Sequence, residues 1–423
     1  MSVVSHAGQH AAGCRPSRRQ LLRGGAASLA LWALRPGRAM AGVRDPRLLV
    51  VILRGGLDGL SMIAPVGDPD YQHLRGALAV PLDGPAAGFR IDPLFALNRR
   101  MTFLAELFQK REALAVHAVA SPYRGRSHFD GQDVLESGLG GVGRSEDGWL
   151  NRALAGLPSL EAAPPRKGLA MGAVVPLVMR GPAPVLSWIP ETSSLPLRAS
   201  TIARLGDLYA ATDAKLAKAF SEGIAIGRVG QTATGLGIGK AAAGIGPGQA
   251  RPFRDLVETA EAAARFLAAA DGPRIGALSF NGWDTHANEG VLDGQLGNSL
   301  AGLDLALKTL HDGLGQAWSE TVIVVVTEFG RTARPNGTAG TDHGTATSAL
   351  ALGGPVKGGR VIADWPGLGD AALYEGRDLK PTADLRAFLK GLLKDHVGVP
   401  DARLSSVVFP GSLEARPMQG LVG

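Results

Sequence analysis

The chain has 423 residues, enough for one large α/β domain with insertions or for two domains of ordinary size. Its 44 Lys and Arg residues exceed its 38 Asp and Glu residues, but six of the arginines lie in the first 41 residues, where there is no acid. The rest of the chain is formally neutral, so its charge argues against nucleic acid or an anionic membrane as a partner.

The first 41 residues match a twin-arginine export signal. Ser17-Arg-Arg-Gln-Leu-Leu-Arg23 places two adjacent arginines before an apolar segment from Gly24 to Leu34, and Ala39-Met-Ala41 matches a signal-peptidase site. We expect the twin-arginine export machinery to be a partner and a mature periplasmic or secreted protein to start near Gly42. A membrane anchor is the weaker interpretation, because the apolar segment is too short to span a bilayer and no later stretch predicts a stable span.

Cys14, the single cysteine of the chain, lies in this leader. The mature protein would therefore have no disulfide, thiolate metal site or cysteine nucleophile, although it is bound for an oxidising compartment. Any metal site must then use His and carboxylate ligands.

The single domain expected over residues 42–423 begins with a β-α-β pattern. Arg47–Leu53 is a continuous apolar run typical of a buried parallel strand. Leu97–Arg111 has apolar residues at helical spacing, and Ala113–Val119 predicts the next strand. A short helix is predicted from His128 to Ser137, ended by Gly138.

Residues 158–252 predict an insertion or irregular region. Its Pro-rich part, 158–196, predicts short strands or extended connections, and Leu205–Phe220 predicts a helix. Residues 223–248 contain nine glycines and little periodicity, which indicates a flexible insertion.

The remaining third of the chain alternates helices and strands. This pattern predicts an α/β fold with a doubly wound, mainly parallel sheet flanked by helices. The predicted elements are a helix over Phe253–Ala270, a strand over Arg274–Phe280, a leucine-striped helix over Leu292–Leu314, a strand from Thr321, an edge hairpin over Val356–Ile362 and a helix over Thr382–Lys394.

Polar residues follow the predicted strands, where the loops of a doubly wound sheet lie side by side. Asp58, between glycines, is either a hard oxygen ligand or a residue that stabilises a turn. Ser127-His-Phe-Asp130 matches a capping box, and its serine would lie at an anion-stabilising helix terminus. His128 is either a ligand or a solvated helix-start residue. Arg124 and Arg126 could hold an oxyanion, although exposed loop arginines are common.

Three later positions add further candidates. The side chains of Asp284 and His286 can point in the same direction in an extended loop and bind one metal. An Asx turn at Asp284 with an incidental His explains the pattern equally well. Glu328 follows a strand so apolar that its carboxylate is difficult to explain as a solvated surface charge. The alternative to metal ligation is an ion pair with Arg331. Asp342-His343 lies in a Gly-rich run with no apolar periodicity, so we favour metal ligation there and at Glu328. The other histidines lack supporting acids or lie in predicted elements, and are left out: His73, His117, His311 and His396.

Together these motifs resemble the bacterial domain-of-unknown-function family 1501. The family looks like a branch of the alkaline phosphatase and sulfatase superfamily, so the resemblance implies that fold and a two-metal site at the strand ends. The motifs, in the order of the family, are Arg54-Gly-Gly-Leu-Asp-Gly59, Ser127-His-Phe-Asp130, Gly282-Trp-Asp-Thr-His286, Glu328-Phe-Gly-Arg-Thr332 and Thr341-Asp-His-Gly344.

The resemblance also implies roles for individual residues. Asp58 corresponds to the first metal-binding acid, and Ser127 lies near the nucleophile. Asp284 and His286 resemble an Asp and a His on one metal, and His343 resembles the last His ligand.

One position departs from this pattern. Phe329 stands where the superfamily has a His ligand, so a second metal would need His128 or Asp342 as a substitute. The nucleophile signature of sulfatases is also missing, because the mature chain has no cysteine to convert.

These residues predict an exported metal-dependent hydrolase of phosphate or sulfate esters, acting on a small-molecule or saccharide ester. One or two divalent cations, with zinc favoured because His is available, would activate Ser127 or a water, with Arg126 or Arg331 on the developing charge. The alternative is a scaffold that has lost catalysis and serves as an exported binding or assembly protein, which Phe329 and the Gly-rich segment favour.

Overall fold

The computed structural model describes residues 44–143, 145–157, 168–172, 174–189, 199–212, 217, 221 and 250–423. The predicted leader, the Gly-rich segment 223–248 and parts of the Pro-rich segment lie outside these residues. The boundary at residue 42 and the division into domains therefore stay predictions.

The helices and strands of the described residues begin and end as follows. The strands are β1 (Arg47–Arg54), β2 (Ile63–Ala64), β3 (Phe89–Arg90), β4 (Ala96–Leu97), β5 (Ala113–Ala120), β6 (Gly168–Met171), β7 (Val185–Trp188), β8 (Ile275–Asn281), β9 (Thr321–Thr327), β10 (Thr347–Leu352), β11 (Arg360–Ile362) and β12 (Ala383–Asp384). The helices are α1 (Gly59–Met62), α2 (Tyr71–Arg75), α3 (Thr102–Gln109), α4 (His128–Ser137), α5 (Trp149–Ala155), α6 (Ala199–Thr212), α7 (Ala250–Ala268), α8 (Gln295–Leu314), α9 (Leu385–Leu392) and α10 (Asp401–Arg403).

A nine-stranded sheet forms the centre of the fold, in the order β11-β5-β10-β9-β1-β8-β6-β7, with β12 also paired to β5. Val50 of β1 pairs in parallel with Ala277 of β8 on one side and Val324 of β9 on the other. Only β10 among these strands runs antiparallel to its neighbours β5 and β9. The carboxyl ends of β1, β5, β8 and β9 therefore meet at one edge of the sheet.

Both faces of this sheet are covered, which explains the continuous apolar runs of its strands. Successive side chains of a strand point to opposite faces. Leu49 and Val51 of β1 pack with α3, α7 and α8, whereas Val50 and Ile52 pack with α5 and α9 on the other face. The predicted α/β fold, a mostly parallel sheet flanked by helices, is confirmed.

One prediction about the sheet is wrong, and one of its strands was not predicted. The edge hairpin over Val356–Ile362 does not form, because β11 pairs in parallel with β5 and Val356 bridges to Val422. No strand was predicted at Thr347–Leu352, which forms the antiparallel strand β10. This six-residue segment is too short and too rich in Ala for its periodicity to separate strand from helix. Its place is set by pairing with β5 and β9.

The predicted helices form with shifted ends. The helix predicted from Leu97 begins at Thr102, because Ala96–Leu97 pairs as β4 in a small antiparallel sheet with β2 and β3. The long leucine-striped helix begins at Gln295 rather than Leu292. In the part of the chain that the structure describes, no helix is both long enough and apolar enough to cross a membrane.

Candidate metal site

Loops at the carboxyl edge of the sheet bring three histidines and an aspartate together. His128 begins α4, Asp284 and His286 follow β8, and His343 lies between β9 and β10. Gly55, in the loop after β1, has a φ of +127°, and a Cβ there would lie 2.4 Å from the backbone nitrogen of Asp284. A glycine is therefore required for the loops after β1 and β8 to pack this closely.

The ligand atoms of these four side chains face one another. His343 Nε2 lies 3.2 Å from Asp284 Oδ1 and 2.9 Å from His286 Nε2. His286 Nε2 is 3.1 Å from the same Asp284 oxygen, and His128 Nε2 is 3.4 Å from Asp284 Oδ2. One ligand atom each from His128, Asp284 and His343 fits within a 4.8 Å span.

The other ring nitrogen of each histidine is held by an oxygen acceptor. His128 Nδ1 is 2.8 Å from Glu328 Oε1, His286 Nδ1 is 3.2 Å from Asp342 Oδ1, and His343 Nδ1 is 2.8 Å from the carbonyl oxygen of Arg126. These acceptors place the proton of each neutral ring on Nδ1, so each Nε2 presents a lone pair. Histidine ligands of metals are commonly oriented in this way.

This arrangement fits a divalent cation. Two zinc ligands about 2.0–2.1 Å from the metal at a tetrahedral angle lie about 3.3 Å apart, close to the separations found here. His128 Nε2 is buried and has no hydrogen-bond partner, and the Nε2 atoms of His286 and His343 lie 2.9 Å apart, so a cation bound beside them would use lone pairs that otherwise face each other or share a proton. Neutral imidazoles with one carboxylate form a ligand set typical of zinc.

Glu328 lies behind His128 rather than among the converging atoms. Its buried carboxylate accepts from Gly55 N at 2.9 Å, Gln132 Nε2 at 3.2 Å and Thr327 Oγ1 at 2.9 Å, in addition to His128. Burial favours the neutral acid, but the hydrogen bond from His128 and the others hold the pKa of Glu328 below its usual value. The same contact raises the pKa of His128.

The alternative ion pair between Glu328 and Arg331 does not form. Arg331, which is 1% exposed, donates from Nη1 to Asp284 Oδ1 at 2.6 Å. Burial would raise the pKa of Asp284, but the hydrogen bond and charge of Arg331 keep it below its ordinary value. A cationic group therefore lies directly beside the candidate metal ligands.

The predicted capping box at the start of α4 does not form. The Ser127 side chain makes no capping hydrogen bond, and its backbone N–H donates to the hydroxyl of Tyr123 at 3.0 Å. The Tyr123 hydroxyl in turn donates to Asp130 at 3.4 Å, so it bridges Ser127 and Asp130, the two members of the predicted box. The Ser127 hydroxyl is left at the helix start, next to His128.

Arg126 is held in place by acids outside the cluster. Its Nη2 lies 2.7 Å from Glu375 and 2.8 Å from the buried Asp378, and these hydrogen bonds raise its pKa against the effect of burial. Arg124 donates to the carbonyl oxygens of Ser121 and Tyr123. The structure therefore brings Arg331 to the cluster, but not the guanidinium of Arg126 or of Arg124.

Asp58 lies apart from the converging histidines. It caps α1 by accepting from Leu60 N at 3.1 Å, accepts from Ser61 Oγ at 2.7 Å and forms a buried ion pair with Arg75. Burial alone would raise the pKa of Asp58, but the charge of Arg75 lowers it. These contacts match the turn interpretation, and a ligand role for Asp58 stays a prediction.

A chain of buried polar groups missed by the sequence analysis joins Asp58 to Asp284. Burial and the charge of Asp58 raise the pKa of Glu289 to about 9, so Glu289 is neutral at pH 7 and can share its proton with Asp58. The Thr341 hydroxyl donates to Glu289 at 2.6 Å and accepts from Arg331 Nε at 3.1 Å. Arg331 also donates to Asp284 through Nη1. No local pattern marks Glu289, because its burial is set by the fold.

Phe329 packs under the cluster. Its ring centroid lies 4.9 Å from that of His128 and 5.2 Å from that of His343, and the side chain is 3% exposed. Phe329 supplies no ligand, and Glu328 and Asp58 already use their oxygens elsewhere. Among the described residues, one group of side chains, His128, Asp284 and His343, brings its ligand atoms within 4.8 Å of one another here.

Of the histidines left out of the site, His117 is a buried core residue. Its Nε2 lies 2.9 Å from the carbonyl oxygen of Ile63, its ring stacks on Phe95, and burial lowers its pKa to about 4. His396 lies 2.9 Å from the carbonyl oxygen of Arg47, far along the chain from any candidate ligand.

Comparison with protein families gives one match. A family model described as "Protein of unknown function (DUF1501)" matches residues 112–408, more than half of the chain. A search of curated proteins gives no match.

Comparison with solved structures gives distant similarities. Murine ectonucleotide pyrophosphatase/phosphodiesterase 5 in complex with AMP is 11% identical, with a TM-score of 0.36 over 75% of this chain and 91% of that one. TAB5 alkaline phosphatase with bound Mg is 12% identical, with a TM-score of 0.35 over 76% and 94%.

A protein of the alkaline phosphatase superfamily from Vibrio parahaemolyticus is 12% identical, with a TM-score of 0.35 over 76% of this chain and 62% of that one. In another structure of the murine phosphodiesterase, the matched part covers 57% of that protein. Similarities at this level assign no activity to the chain.

Proposed function

This chain belongs to the DUF1501 family of proteins of unknown function, and we propose that it is a metal-dependent hydrolase of phosphate or sulfate esters. The observation that carries the proposal is the convergence of three imidazole Nε2 atoms on the Asp284 carboxylate, with each Nδ1 fixed by an acceptor. The likeness of its motifs to those of the alkaline phosphatase and sulfatase superfamily supports the reaction class.

The ligands that would hold the cation are Asp284 and His343, with His286 and His128 on either side. A bound divalent cation would supply Lewis acidity, lowering the pKa of a hydroxyl or water and polarising the ester. Zinc suits the set, because imidazole and carboxylate are both zinc ligands.

The residues of the chain account for the other requirements of ester hydrolysis. Ser127, at the amino terminus of α4, is the nucleophile we propose, since its hydroxyl is not used as a cap and the helix terminus stabilises negative charge there. Arg331 is the cation nearest to the ligands, and it would stabilise charge that develops on the ester oxygens. Arg126 acts through its backbone, by orienting His343.

The test is metal analysis of the folded full chain, together with hydrolysis of p-nitrophenyl phosphate and p-nitrophenyl sulfate. We expect about one zinc per chain, loss of hydrolysis on chelation and recovery on adding zinc. Ser127→Ala should lower the rate by several orders of magnitude, because it removes the attacking hydroxyl. Less than one divalent cation per chain, with hydrolysis unchanged in Ser127→Ala, would refute the mechanism.

Two observations favour the second candidate, an exported binding or assembly protein without catalysis. Phe329 fills the place of a second-metal ligand, and the side chain of Arg126 is occupied by Glu375 and Asp378. That protein would show no hydrolysis of either ester at any metal content. Under both functions we propose export by the twin-arginine pathway to the periplasm, which replacing Arg18 and Arg19 by lysine should block.

The contact between Glu328 and His128 leads to a separate prediction. Glu328→Gln keeps the shape of the side chain but removes the carboxylate that fixes the His128 ring, so zinc affinity should fall about 10–100-fold. In the metal-free protein the pKa of His128 should also fall, because Glu328 is the main cause of its raised value. Zinc competition and NMR titration measure the two effects.

Glu414→Gln is the matched control, because Glu414 is exposed and far along the chain from the cluster. It should change neither zinc affinity nor the pKa of His128. Equal zinc affinity in Glu328→Gln and the native protein would show that Glu328 does not orient His128.

A further inference from the structure

A large cavity adjoins the candidate metal site. Its volume is about 1090 Å³, and it opens beyond the carboxyl ends of β1, β8 and β6, where Arg54, Asn281 and Met171 line it. Ligands in open α/β sheets bind at this edge. The volume lies just above the range of about 300–1,000 Å³ for small-molecule pockets, far more than a phosphate or sulfate ion needs.

The cavity and the cluster share chain segments. Phe129, which lines the cavity and is 89% exposed, directly follows His128, and Trp283 directly precedes Asp284. Gln132 also lines the cavity, and its side chain donates to the Glu328 oxygen that accepts from His128. A molecule held in the cavity would therefore extend from the candidate metal ligands.

The charged groups of the lining disfavour a polyanion. Arg54 is paired to Glu136 with Nη2 and Oε1 2.5 Å apart, which neutralises both. Arg180 is then opposed by Asp133 and Asp255, so the described lining has a net negative charge. A nucleoside polyphosphate placed along the cavity would be repelled rather than attracted.

Amides, hydroxyls and aromatic rings make up much of the remaining lining. Asn281, Gln295 and Asn298 can each donate and accept hydrogen bonds, and Thr259 and Ser299 add hydroxyls. Phe129, Phe280 and Trp283 supply aromatic faces. Neutral groups that both donate and accept, placed among apolar rings, match a ligand with many hydroxyl groups on a carbon framework.

We propose that this cavity binds the neutral, hydroxyl-rich alcohol portion of the ester, with the chemistry of an oligosaccharide, while the ester group lies at the metal site. The proposal rests on the proposed function for the position of the ester group. The binding of a neutral sugar itself needs no metal, which allows the two to be tested separately.

The test measures binding of cellotriose, chitotriose and maltotriose to the folded full chain by calorimetry and saturation-transfer NMR. Ser299→Trp fills the cavity from α8, and Asn281→Ala removes one amide without adding bulk. The native protein should bind at least one of the trisaccharides. Its affinity should be about 10-fold lower in Ser299→Trp and also lower in Asn281→Ala. Lys308→Trp, on the same helix but outside the cavity, is the matched control and should bind as the native protein does.

Two further measurements separate the outcomes. Asp284→Asn should still bind the sugar, because binding of a neutral sugar needs no metal, and Lys308→Trp, outside the cavity, should hydrolyse p-nitrophenyl phosphate at the native rate. Sugar binding without any ester hydrolysis would refute the proposed function and leave the cavity assignment standing. Hydrolysis with no binding of any of the three sugars, equal sugar binding in Ser299→Trp, or tighter binding of ADP than of the sugars would overturn the cavity assignment.

Discussion

Asp58→Asn is expected to lower the free energy of unfolding by about 3–5 kcal/mol, because it leaves the buried Arg75 guanidinium without a full counter-charge. Arg75 is 0% exposed, and it also donates to the carbonyl oxygens of Thr332 and Ala333 in the loop that carries Arg331. The loss should fall at the lower end of that range, because Glu289 can take over part of the charge. Urea unfolding at pH 7 measures it.

Glu289 makes this prediction specific. With the Asp58 charge removed, one cause of the raised pKa of Glu289 disappears, so Glu289 can ionise beside Arg75. Glu289→Gln alone should cost about 1 kcal/mol or less, since it replaces an acid that is already neutral. The double variant Asp58→Asn with Glu289→Gln should therefore lose more than the sum of the two single variants.

The matched control is Asp312→Asn, which breaks an exposed ion pair with Lys308 and should cost no more than about 0.5 kcal/mol. Additive single and double variants would contradict the exchange of charge between Asp58 and Glu289. Loss of bound metal in Asp58→Asn without loss of stability would instead support the ligand role that the family resemblance implies.

The sheet was predictable because its strands are buried on both faces. The apolar runs at β1, β5, β8 and β9 locate four central strands within one or two residues of their observed ends. The short strand β10 was not predictable in this way, since it is defined by antiparallel pairing with strands about 30 and 230 residues away in sequence. Its antiparallel direction is a property of the fold and leaves no local pattern.

The candidate site was likewise predictable only in part. Polar residues after apolar strands pointed to His128, Asp284, His286 and His343, because the carboxyl ends of parallel strands share one edge. Whether a carboxylate binds a cation or orients a histidine depends on a few ångströms, and sequence spacing does not contain that information. Glu328 is the example, since its place at the strand end was foreseen and its contact with His128 was not.

Buried partners of charged residues were the hardest to predict. Arg75 lies in a segment of mixed polarity, 17 positions after Asp58, yet it is fully buried against that carboxylate. An ion pair of Arg331 with Glu328, three residues away, was the alternative to metal ligation, but Arg331 pairs with Asp284 in another loop. Both ion pairs join loops that meet only in the folded chain. Ion-pair partners are therefore the feature that the sequence predicts least well and the structure must supply.

Asp284→Asn is expected to lower ester hydrolysis by about 10³-fold or more. The carboxylate faces all three histidine Nε2 atoms and is the anionic member of the ligand set, so its loss removes cation affinity as well as charge. Metal catalysis of this kind lowers the activation free energy by several kcal/mol, and about 1.4 kcal/mol corresponds to a factor of ten in rate. Zinc content and the rate with p-nitrophenyl phosphate should fall together.

The control for this variant is Asp293→Asn, the same change at a side chain that is 95% exposed, in the chain segment just before α8. It should keep the native zinc content and rate. Because Asp284→Asn also removes the counter-charge of the buried Arg331, it should lower stability as well, and urea unfolding must show that the variant is folded in the assay, which separates lost catalysis from lost structure. An Asp284→Asn protein that keeps both zinc and activity would show that the cation lies elsewhere. One that loses zinc but keeps hydrolysis would show that the reaction does not use it.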